Sequence, residues 1–519
     1  MRALDRHTIE TLGVPGALLM EAAGRAVAER VLGEWSARSG RDDRVLVVCG
    51  TGNNGGDGFV VARLLHAEEV PLRVVLVGDR RRLRSDAAAN AARLERAGVA
   101  IETGAVRTAG CAVAVDALFG TGLDRKIDGP AAGAIRRLRA GRPALRVVSI
   151  DLPSGLDADT GQPLGIAVQA DVTVTIGLPK RALALEPGRS LAGRIEVARI
   201  GIADTAPGAV PDTELWNDDA ALHALPERPA AGHKGSFGHV LVVAGSTGKV
   251  GAAALAAAGA ARIGAGLVTI ACPAAANEIL QLKCSEAMTA PVPDTAEGGI
   301  AAAALGALLA LARERDAVAL GPGLGRAADT QKLVREFAAS CPKPLVLDAD
   351  GLFPFTGSKL ALKRREAPII VTPHPGEAAR LLGVTAAEIN RDRVGAARRL
   401  ATEAGAVVVL KGAATVIAAP DGRTAVNPTG GPVLGTGGTG DVLCGVVAGL
   451  LGQGLSPFEA AALGAWLHGR AGERIAMRRG RSGVLAGEIA DELPETCEAL
   501  HLRDAGPAAE PNSLLLAFP

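Results

Sequence analysis

Aromatic side chains are scarce in this chain of 519 residues, because Phe, Trp and Tyr together make up 2% of it and tyrosine is absent. Proteins that hold single-stranded nucleic acid stack its bases on such rings. The formal net charge is only +1, so the chain also lacks the basic field that binds duplex nucleic acid. Both shortages argue against nucleic acid as a partner.

Paired cysteines and long apolar runs are also missing. The seven cysteines are scattered, and none forms a Cys-x-x-Cys pair, which indicates reduced thiols and no zinc site. The most apolar stretch, residues 299–312, covers about 14 residues and is too short to span a bilayer. The amino terminus is charged where a signal peptide needs an apolar core. We therefore expect a cytoplasmic protein that does not contact membranes.

Short runs of Val, Ile and Leu that end in glycine or an acidic residue recur along the chain. Segments with helical periodicity, such as residues 59–66 and 86–97, lie between them. This alternation predicts βαβ units, and therefore an α/β fold with parallel sheets covered by helices on both faces. The predicted strands form two groups, the first at 45–48, 74–77, 113–116, 147–151 and 172–176, the second at 240–243, 267–270, 317–320, 344–347, 369–371 and 407–410.

Residues 205–235 separate the two groups, because this segment loses the strand rhythm and is rich in proline and acidic residues. We predict a first domain at residues 1–215 and a second at residues 222–500. Residues 501–519 form a tail whose composition predicts disorder or loose packing.

A glycine-rich loop follows the first predicted strand. Gly50, Gly52 and Gly55 have the G-x-G-x-x-G spacing that lets a dinucleotide approach the backbone. Two asparagines and Asp57 stand in the same turn. Their oxygen atoms suit ribose hydroxyls or a hard monovalent cation better than phosphate alone.

Acidic residues follow two later strands of the same group, Asp116 and Asp151. Because ligands bind at the carboxyl ends of parallel strands, we expect these loops to meet the first loop in one crevice. Asp157 and Asp159 are better interpreted as turn residues.

The second domain contains the most informative stretch, residues 435–441, Gly-Thr-Gly-Gly-Thr-Gly-Asp, followed by an apolar run that predicts a helix. Glycines allow backbone N–H groups to surround a phosphate at the positive end of that helix. A carboxylate beside a phosphate repels it unless a metal ion or a reacting hydroxyl lies between them. Asp441 is therefore a candidate general base toward a hydroxyl, with an ordinary N-cap as the alternative.

Other polar loops also follow strands of the second domain. Lys411 begins a loop, Lys-Gly-Ala-Ala-Thr, that offers a cation and open amides to nucleotide phosphates. Asp348 and Asp350 fit a cap or a metal site equally well. Gly248-Lys249 is not a P-loop, because the G-x-x-x-x-G-K-[ST] spacing is missing.

Four motifs, in this order, resemble the bifunctional NAD(P)H-hydrate repair enzymes, in which an epimerase is fused to a nucleoside-diphosphate-dependent dehydratase. They are Met-Glu-Ala-Ala-Gly at 20–24, Asn-Asn-Gly-Gly-Asp-Gly at 53–58, Asp-Ala-Leu-Phe-Gly-Thr-Gly at 116–122 and Ile-Asp-Leu-Pro-Ser-Gly-Leu-Asp at 150–157. The resemblance implies a Rossmann-like three-layer αβα epimerase domain. With the second domain it covers roughly residues 5–495.

For the epimerase half, the resemblance implies that the enzyme inverts carbon 6 of the hydrated nicotinamide ring, with Asp151 as candidate acid and base. It implies a potassium ion held by Asn54, Asp116 and Ser154. The implied contacts to hydrated NADH or NADPH are Asn53, Asn54, Gly55, Gly56, Asp57, Gly120, Thr121, Gly122, Leu123, Asp124, Arg125, Lys126 and Asp151.

The second domain resembles the dehydratase branch of the ribokinase-like superfamily, an αβα fold that uses magnesium and ADP. The implied nucleotide contacts are Lys411, Gly412, Ala413, Ala414, Thr415 and Gly440, and the implied contacts to the hydrated cofactor are Ala252, Gly323, His374 and Asp441. His374 has a role in loop packing as its alternative. Gly431 stands where the family usually has Asn, so whether this position contacts a metal ion or a phosphate stays open. The choice between ADP and ATP also stays open.

The expected function is therefore nicotinamide nucleotide repair: epimerisation of the R and S hydrates and ADP-dependent dehydration of the S form. One alternative is a ribokinase-like kinase of small alcohols with a regulatory dinucleotide-binding domain. Another is a dinucleotide sensor without turnover, against which the two reactive aspartates count. We expect small-molecule substrates and a homo-oligomer.

Overall fold

A computed structural model describes residues 1–38, 43–83, 85–203, 205–208, 212–356, 365–504 and 515–517. The chain forms two compact units, Met1–Pro211 with Ala508–Pro519, and Asp212–Pro507. No helix of the described residues is both long enough and apolar enough to cross a membrane.

The first unit is a parallel sheet with helices between its strands. Its strands are β1 (Arg44–Cys49), β2 (Leu72–Leu76), β3 (Ile101–Thr103), β4 (Cys111–Ala117), β5 (Arg146–Ile150), β6 (Val172–Ile176) and β7 (Arg194–Ala198). Its helices are α1 (Arg2–Arg6), α2 (Gly16–Ser36), α3 (Asn53–Ala67), α4 (Ser85–Arg96), α5 (Gly129–Gly141) and α6 (Gly188–Ala192).

The strand order in this sheet is β7-β6-β5-β4-β1-β2-β3, and a further strand, Leu515–Ala517, pairs antiparallel with β7. The chain runs outward from β1 to β3 and then returns to place β4 beside β1 on its other side. Such a switch point opens a crevice at the carboxyl ends of the two strands. The loops after β1 and β4 therefore border one cleft, as the sequence predicts.

The second unit has strands β8 (Glu214–Leu215), β9 (His239–Val243), β10 (Leu267–Pro273), β11 (Met288–Val292), β12 (Ala317–Leu320), β13 (Leu345–Leu347), β14 (Ile369–Val371), β15 (Val407–Leu410), β16 (Thr415–Ala418) and β17 (Thr424–Asn427). Its helices are α7 (Asp218–Ala224), α8 (Val250–Arg262), α9 (Asn277–Lys283), α10 (Leu305–Arg313), α11 (Ala328–Ser340), α12 (Pro375–Leu382), α13 (Ala386–Arg391), α14 (Arg393–Ala404), α15 (Thr439–Gly452), α16 (Pro457–Arg479) and α17 (Ala486–Asp504).

The strand order in the second sheet is β11-β10-β9-β12-β13-β14-β15-β16-β17-β8. From β11 to β15 in this order, each strand pairs parallel with the next. Strand β16 pairs antiparallel with both β15 and β17. This arrangement brings the loops after β9, β12, β13, β14 and β15 to one edge of the sheet. The α/β fold class predicted for both domains is confirmed.

Close contact between α8 and α15 fixes where α15 begins. A Cβ added to Gly445 would lie 1.9 Å from the carbonyl oxygen of Ala256, and one added to Gly259 would lie 2.3 Å from that of Val442. Only glycine allows the two backbones to approach so closely. The start of α15 is thereby held against the middle of α8.

The predicted strands correspond to β1, β2, β4, β5 and β6 in the first unit and to β9, β10 and β12 to β15 in the second. The remaining strands were missed because they are short or mixed in composition, which hides the apolar run. The unit division differs from the predicted boundary, since Glu214–Leu215 pairs with β17 in the second sheet. Most of the predicted tail, residues 505–514 and 518–519, lies outside the described residues.

Candidate active sites

The loop after β1 packs directly on the loop after β4. A Cβ on Gly50 would lie 2.0 Å from the carbonyl oxygen of Leu118, and one on Gly55 would lie 1.9 Å from that of Gly50. Asn54, in the first turn of α3, is buried, and its amide Nδ2 has no hydrogen-bond partner among the described residues. Since buried polar atoms are normally paired, this unsatisfied donor indicates that a ligand with a hydrogen-bond acceptor binds there.

Asp116 lies at the end of β4 and is fully buried. Its Oδ2 accepts hydrogen bonds from Ser149 Oγ at 2.9 Å and from the backbone N–H of Ser154 at 2.8 Å. Burial raises the pKa of the Asp116 carboxyl, and these hydrogen bonds oppose the rise. Ser154 Oγ donates to the carbonyl oxygen of Phe119 at 3.1 Å, so the two residues join the loops after β4 and β5.

Asp151 follows β5 with a left-handed backbone, φ 68°. Its Oδ1 forms an ion pair with Lys180 and accepts a hydrogen bond from the N–H of Ile176 at 3.3 Å. A Cβ added to Gly120 would lie 3.2 Å from Asp151 Oδ2 and 3.3 Å from Asn54 Oδ1. Three of the predicted site residues therefore meet at one point.

Asp57 lies on the buried side of α3. Burial, the carboxylate of Asp151 and that of Asp5 together raise the pKa of Asp57 well above its ordinary value of 3.8. Gly56 packs against Met20, since a Cβ there would lie 3.0 Å from its Cε. These two predicted contacts thus face the interior, whereas Asn53 is exposed.

The residues of loop 120–126 that are predicted to contact the substrate differ in their exposure. Gly120, Thr121 and Leu123 are half-buried, whereas Gly122, Asp124, Arg125 and Lys126 are exposed. Gly120 is the member that lies against Asn54 and Asp151.

In the second unit, α15 begins in an uncapped glycine turn. Gly438 precedes it with φ 94°, and no side chain caps the first turn. Thr439 Oγ1 donates instead to the carbonyl oxygens of Leu434 at 2.9 Å and Thr436 at 3.0 Å. The turn is held in shape while the helix start remains open to an anion.

Lys411 places a cation at that helix start. Its Nζ lies 3.4 Å from the position that a Cβ on Gly440 would take, and it donates to Asp348 Oδ1 at 2.6 Å. Burial alone lowers the pKa of Lys411, but the carboxylates of Asp348 and Glu377 outweigh it and raise the pKa above its ordinary value. The ammonium group therefore remains charged.

Asp441, in the first turn of α15, is half-buried and has no hydrogen-bond or ion-pair partner among the described residues. Burial, followed by the negative charges of Asp348 and Asp350, raises its pKa to about 7, although Lys411 opposes the rise. A carboxyl group with such a pKa exchanges protons readily at neutral pH.

The loop from Lys411 to Thr415 presents its backbone through two left-handed residues, Gly412 with φ 136° and Ala414 with φ 55°. Gly412 and Ala413 are exposed, and Thr415 Oγ1 donates to the carbonyl oxygen of Gly412 at 3.1 Å. The predicted nucleotide contacts from Lys411 to Thr415 and Gly440 thus lie in two neighbouring turns, joined by the side chain of Lys411.

Arg393, at the start of α14, holds the first residues of this loop by hydrogen bonds. Its Nη2 donates to the carbonyl oxygens of Leu410 at 3.0 Å and Lys411 at 3.1 Å. The guanidinium group also packs against Gly412, where an added Cβ would lie 3.0 Å from Nη2. Burial lowers the pKa of Arg393 to about 10, so the residue is charged at neutral pH.

Two predicted substrate contacts, Ala252 and Gly323, lie side by side. A Cβ on Gly323, which has φ 63°, would be 2.9 Å from the Cβ of Ala252. Ser246 Oγ donates to the carbonyl oxygen of Gly323 at 2.7 Å. The small residues therefore let the loop after β12 pack closely against the start of α8.

His374 caps α12. Its ring Nδ1 accepts a hydrogen bond from the backbone N–H of Gly376 at 3.0 Å, and the backbone N–H of His374 donates to Glu377 Oε2 at 2.8 Å. The other ring nitrogen, Nε2, lies 3.5 Å from Glu377 Oε1, and 53% of the side chain is exposed. A structural role is therefore established, and the exposed ring edge can still contact a ligand.

The two acidic residues after β13 are engaged by cations. Asp348 bonds to Lys411, and Asp350 accepts from Lys249 Nζ at 3.2 Å and Arg326 Nε at 2.9 Å. Burial alone raises the pKa of Asp350, but the bonds to these cations bring it below its ordinary value. Among the described residues, no three His, Cys, Asp or Glu side chains are grouped for a metal ion.

Lys180 and Arg393 were missed in the sequence analysis. Lys180 follows β6 within Gly-Leu-Pro-Lys, so the rule that strand exits carry functional groups could have found it. Arg393 lies at the start of a helix, where the sequence gives no sign that its side chain reaches the end of β15.

Two family models match the chain, one described as NAD(P)H-hydrate dehydratase over residues 240–495 and one as YjeF-related protein N-terminus over residues 16–182. The bifunctional NAD(P)H-hydrate repair enzyme of Moorella thermoacetica is 43% identical over 95% of this chain and 94% of its own. That of Thermofilum pendens is 39% identical over 96% and 95%.

A crystal structure of the ADP/ATP-dependent NAD(P)H-hydrate dehydratase from Bacillus subtilis, co-crystallised with ATP and magnesium, is 33% identical. It covers 56% of this chain and 100% of its own, with a TM-score of 0.49. The family assignment depends on the near-full-length relatives and on the two family models. The chain belongs to the family of bifunctional NAD(P)H-hydrate repair enzymes.

Proposed function

We propose that the second unit transfers a phosphoryl group from ADP to the carbon-6 hydroxyl of S-hydrated NADH or NADPH and then eliminates phosphate. Hydroxide is a poor leaving group, whereas phosphate leaves readily when the ring nitrogen supplies electrons. The observation that carries this proposal is the position of Lys411 beside Gly440, one residue before a carboxyl group of pKa about 7. A cation, a helix start and a base thus meet at one place.

In this reaction Asp441 takes the proton of the carbon-6 hydroxyl. The hydroxyl oxygen bonds to the terminal phosphorus of ADP, and AMP departs. Phosphate then leaves carbon 6 as the ring nitrogen forms a double bond to that carbon. Loss of a proton from carbon 5 gives the double bond between carbons 5 and 6 and restores the reduced nicotinamide. We assign the nucleotide to Lys411, Gly412, Ala413, Ala414, Thr415 and Gly440, and the hydrated ring to Ala252, Gly323, His374 and Asp441.

Magnesium fits this site as a partner of the nucleotide phosphates, which supply most of its ligands in such enzymes. Asp348 and Asp350 are held by cations and suit a supporting role better than direct coordination. Bound there, magnesium would neutralise charge on the phosphoryl group.

In the first unit, we propose that Asp151 is the acid and base that epimerises the R and S hydrates. Departure of the carbon-6 hydroxyl as water requires a proton, and addition of water to the opposite face releases one. Asp151 Oδ2 lies nearest to Gly120 and Asn54, where the ring would lie. We assign binding of the hydrate to Asn53, Asn54, Gly55, Gly56, Asp57, Gly120, Thr121, Gly122, Leu123, Asp124, Arg125, Lys126 and Asp151.

Potassium fits the neighbouring oxygen atoms. Asn54, Asp116 and Ser154 supply amide, carboxylate and hydroxyl oxygens, the donors that hard cations prefer. Burial of the Asp116 carboxylate is unfavourable without a cation. A monovalent cation would stabilise that carboxylate and order the loops around it.

All seven cysteines are free thiols, which supports a cytoplasmic location as part of this proposal. Homo-oligomerisation stays a prediction that light scattering of the purified protein would test.

The proposed function is tested with purified protein, a mixture of R and S hydrates, ADP and magnesium, while absorbance of the reduced nicotinamide is followed. Complete recovery of NADH, with AMP and phosphate formed in equal amounts, is expected. A stable phosphorylated product would identify a kinase instead, and binding without turnover would identify a sensor. Recovery that stops when the S form is consumed would contradict an active epimerase.

A further inference from the structure

A buried ion pair lies at the centre of the first unit's site, between Asp151 and Lys180. The two residues are 9% and 8% exposed. We infer that Lys180 positions the carboxylate of Asp151, holding Oδ1 so that Oδ2 alone exchanges protons with the hydrate. This inference rests on the proposed role of Asp151 and deepens it.

The contacts of Lys180 use each hydrogen of its ammonium group. Besides the ion pair with Asp151, Nζ donates to the carbonyl oxygen of Ile176 at 2.6 Å and to Thr175 Oγ1 at 3.2 Å. An ammonium group has three donors. Lys180 is therefore saturated by this chain and fixed in place, which suits a positioning residue better than one that binds substrate.

The two oxygens of Asp151 have different surroundings. Oδ1 faces Lys180, the N–H of Ile176 and the hydroxyl of Thr175. Oδ2 faces the crevice beside Gly120 and has no hydrogen-bond partner among the described residues. The left-handed backbone of Asp151, φ 68°, is unfavourable for a residue with a side chain. Such strain is commonly retained where it directs a functional group.

The charges near Asp151 show why a cation is needed there. Asp57 on α3 faces it and belongs to the same cluster as Asp5, and Asp116 on β4 lies behind Ser149 and Ser154. Lys180 is the cation paired with Asp151 in this acidic group. Without it, the buried carboxylate of Asp151 would have no paired cation among these acidic neighbours.

The test uses the full chain without nucleotide, so that interconversion of purified R hydrate to S hydrate is followed by chromatography. Lys180→Met should slow epimerisation at least about 10-fold. Lys180→Arg, which keeps a cation beside Asp151, should restore most of the wild-type rate.

Folding is checked in the same preparation, because dehydration of S hydrate with ADP reports on the second unit and thermal unfolding reports on the whole chain. Arg181→Met is the matched control, since this neighbouring cation pairs with the exposed Asp159, and it should epimerise normally.

Two results separate the inference from the function on which it rests. If Asp151→Asn retains epimerisation, the proposed role of Asp151 is wrong. If Asp151→Asn loses activity while Lys180→Met keeps the wild-type rate, the inference about Lys180 alone is overturned. When both residues are replaced, the loss should not exceed that of Asp151→Asn, because Lys180 acts through that carboxylate.

Discussion

The two units place an aspartate at the centre of each site but treat its charge differently. Asp151 is bound by Lys180 through Oδ1. Asp441 has a lysine nearby as well, but Lys411 bonds to Asp348 instead. Burial, followed by the negative charges of Asp348 and Asp350, raises the pKa of Asp441 to about 7, although Lys411 opposes the rise. A paired carboxylate is held in one orientation, whereas an unpaired one is left ready to take a proton from a hydroxyl.

This contrast also reflects the ligands proposed for the two sites. A phosphoryl group brings negative charge to the second site, so Lys411 and the open start of α15 are needed for the nucleotide. The first site is proposed to handle water addition to a ring, and its cation pairs with the carboxylate of Asp151. The two sites therefore share a strand-exit location and differ in where the lysine is used.

The largest expected effect comes from separating the two aspartates. Asp441→Ala should reduce ADP-dependent dehydration of S hydrate by about 10²- to 10⁴-fold, because a general base is lost. Nucleotide affinity measured by calorimetry should stay nearly unchanged. Epimerisation by the same variant, assayed without nucleotide, serves as the internal control and should be normal. Dehydration at the wild-type rate would exclude Asp441 as the base.

The second prediction compares the pH dependence of dehydration with that of epimerisation. Asp441 must be ionised to take a proton, and its pKa is raised from 3.8 to about 7. Dehydratase kcat/KM should therefore be full above about pH 7 and fall as pH is lowered through that value, about tenfold for each unit below it. Epimerisation should not share this inflection. A dehydratase profile that stays flat down to pH 5 would contradict the assigned ionisation.

Arg393→Met should have a smaller effect, confined to the second site. The carbonyl oxygens of Leu410 and Lys411 lose their donor, at a cost of about 1–3 kcal/mol in the free energy of unfolding. We expect ADP to bind about 10-fold more weakly, measured by calorimetry. Arg399→Met is the control, because this exposed residue of α14 pairs with Glu403. Equal affinities in the two variants would remove Arg393 from loop positioning.

Gly431→Asn should have the smallest effect. Gly431 has an extended backbone, with φ 177°, and a Cβ there would meet nothing within 4 Å. An Asn side chain therefore fits, and the free energy of unfolding should change by less than about 0.5 kcal/mol. We expect the KM for ADP to change by less than about twofold; a tenfold fall would show that an Asn side chain at this position binds the nucleotide.

Much of the fold follows from the sequence, because apolar runs ending in glycine or aspartate mark buried parallel strands. Such runs predicted β1, β4 and β5, whose exits form the first site. The sequence did not predict β16 and β17, because antiparallel strands at the end of a sheet have shorter and more mixed patterns. The tight contact of α8 with α15 was also missed, since a glycine that permits helix packing resembles any other helical glycine.

The candidate sites divide in the same way. The sequence itself determined that Asn54, Asp116 and Asp151 stand near one another, since the exits of neighbouring parallel strands meet at one edge. It likewise placed Asp441 at the start of a helix behind a glycine turn. Only the tertiary structure decided which cation meets which carboxylate, as in the bond of Lys411 to Asp348 across 63 residues. Such pairing depends on side-chain reach and burial between distant segments, and no local pattern encodes either.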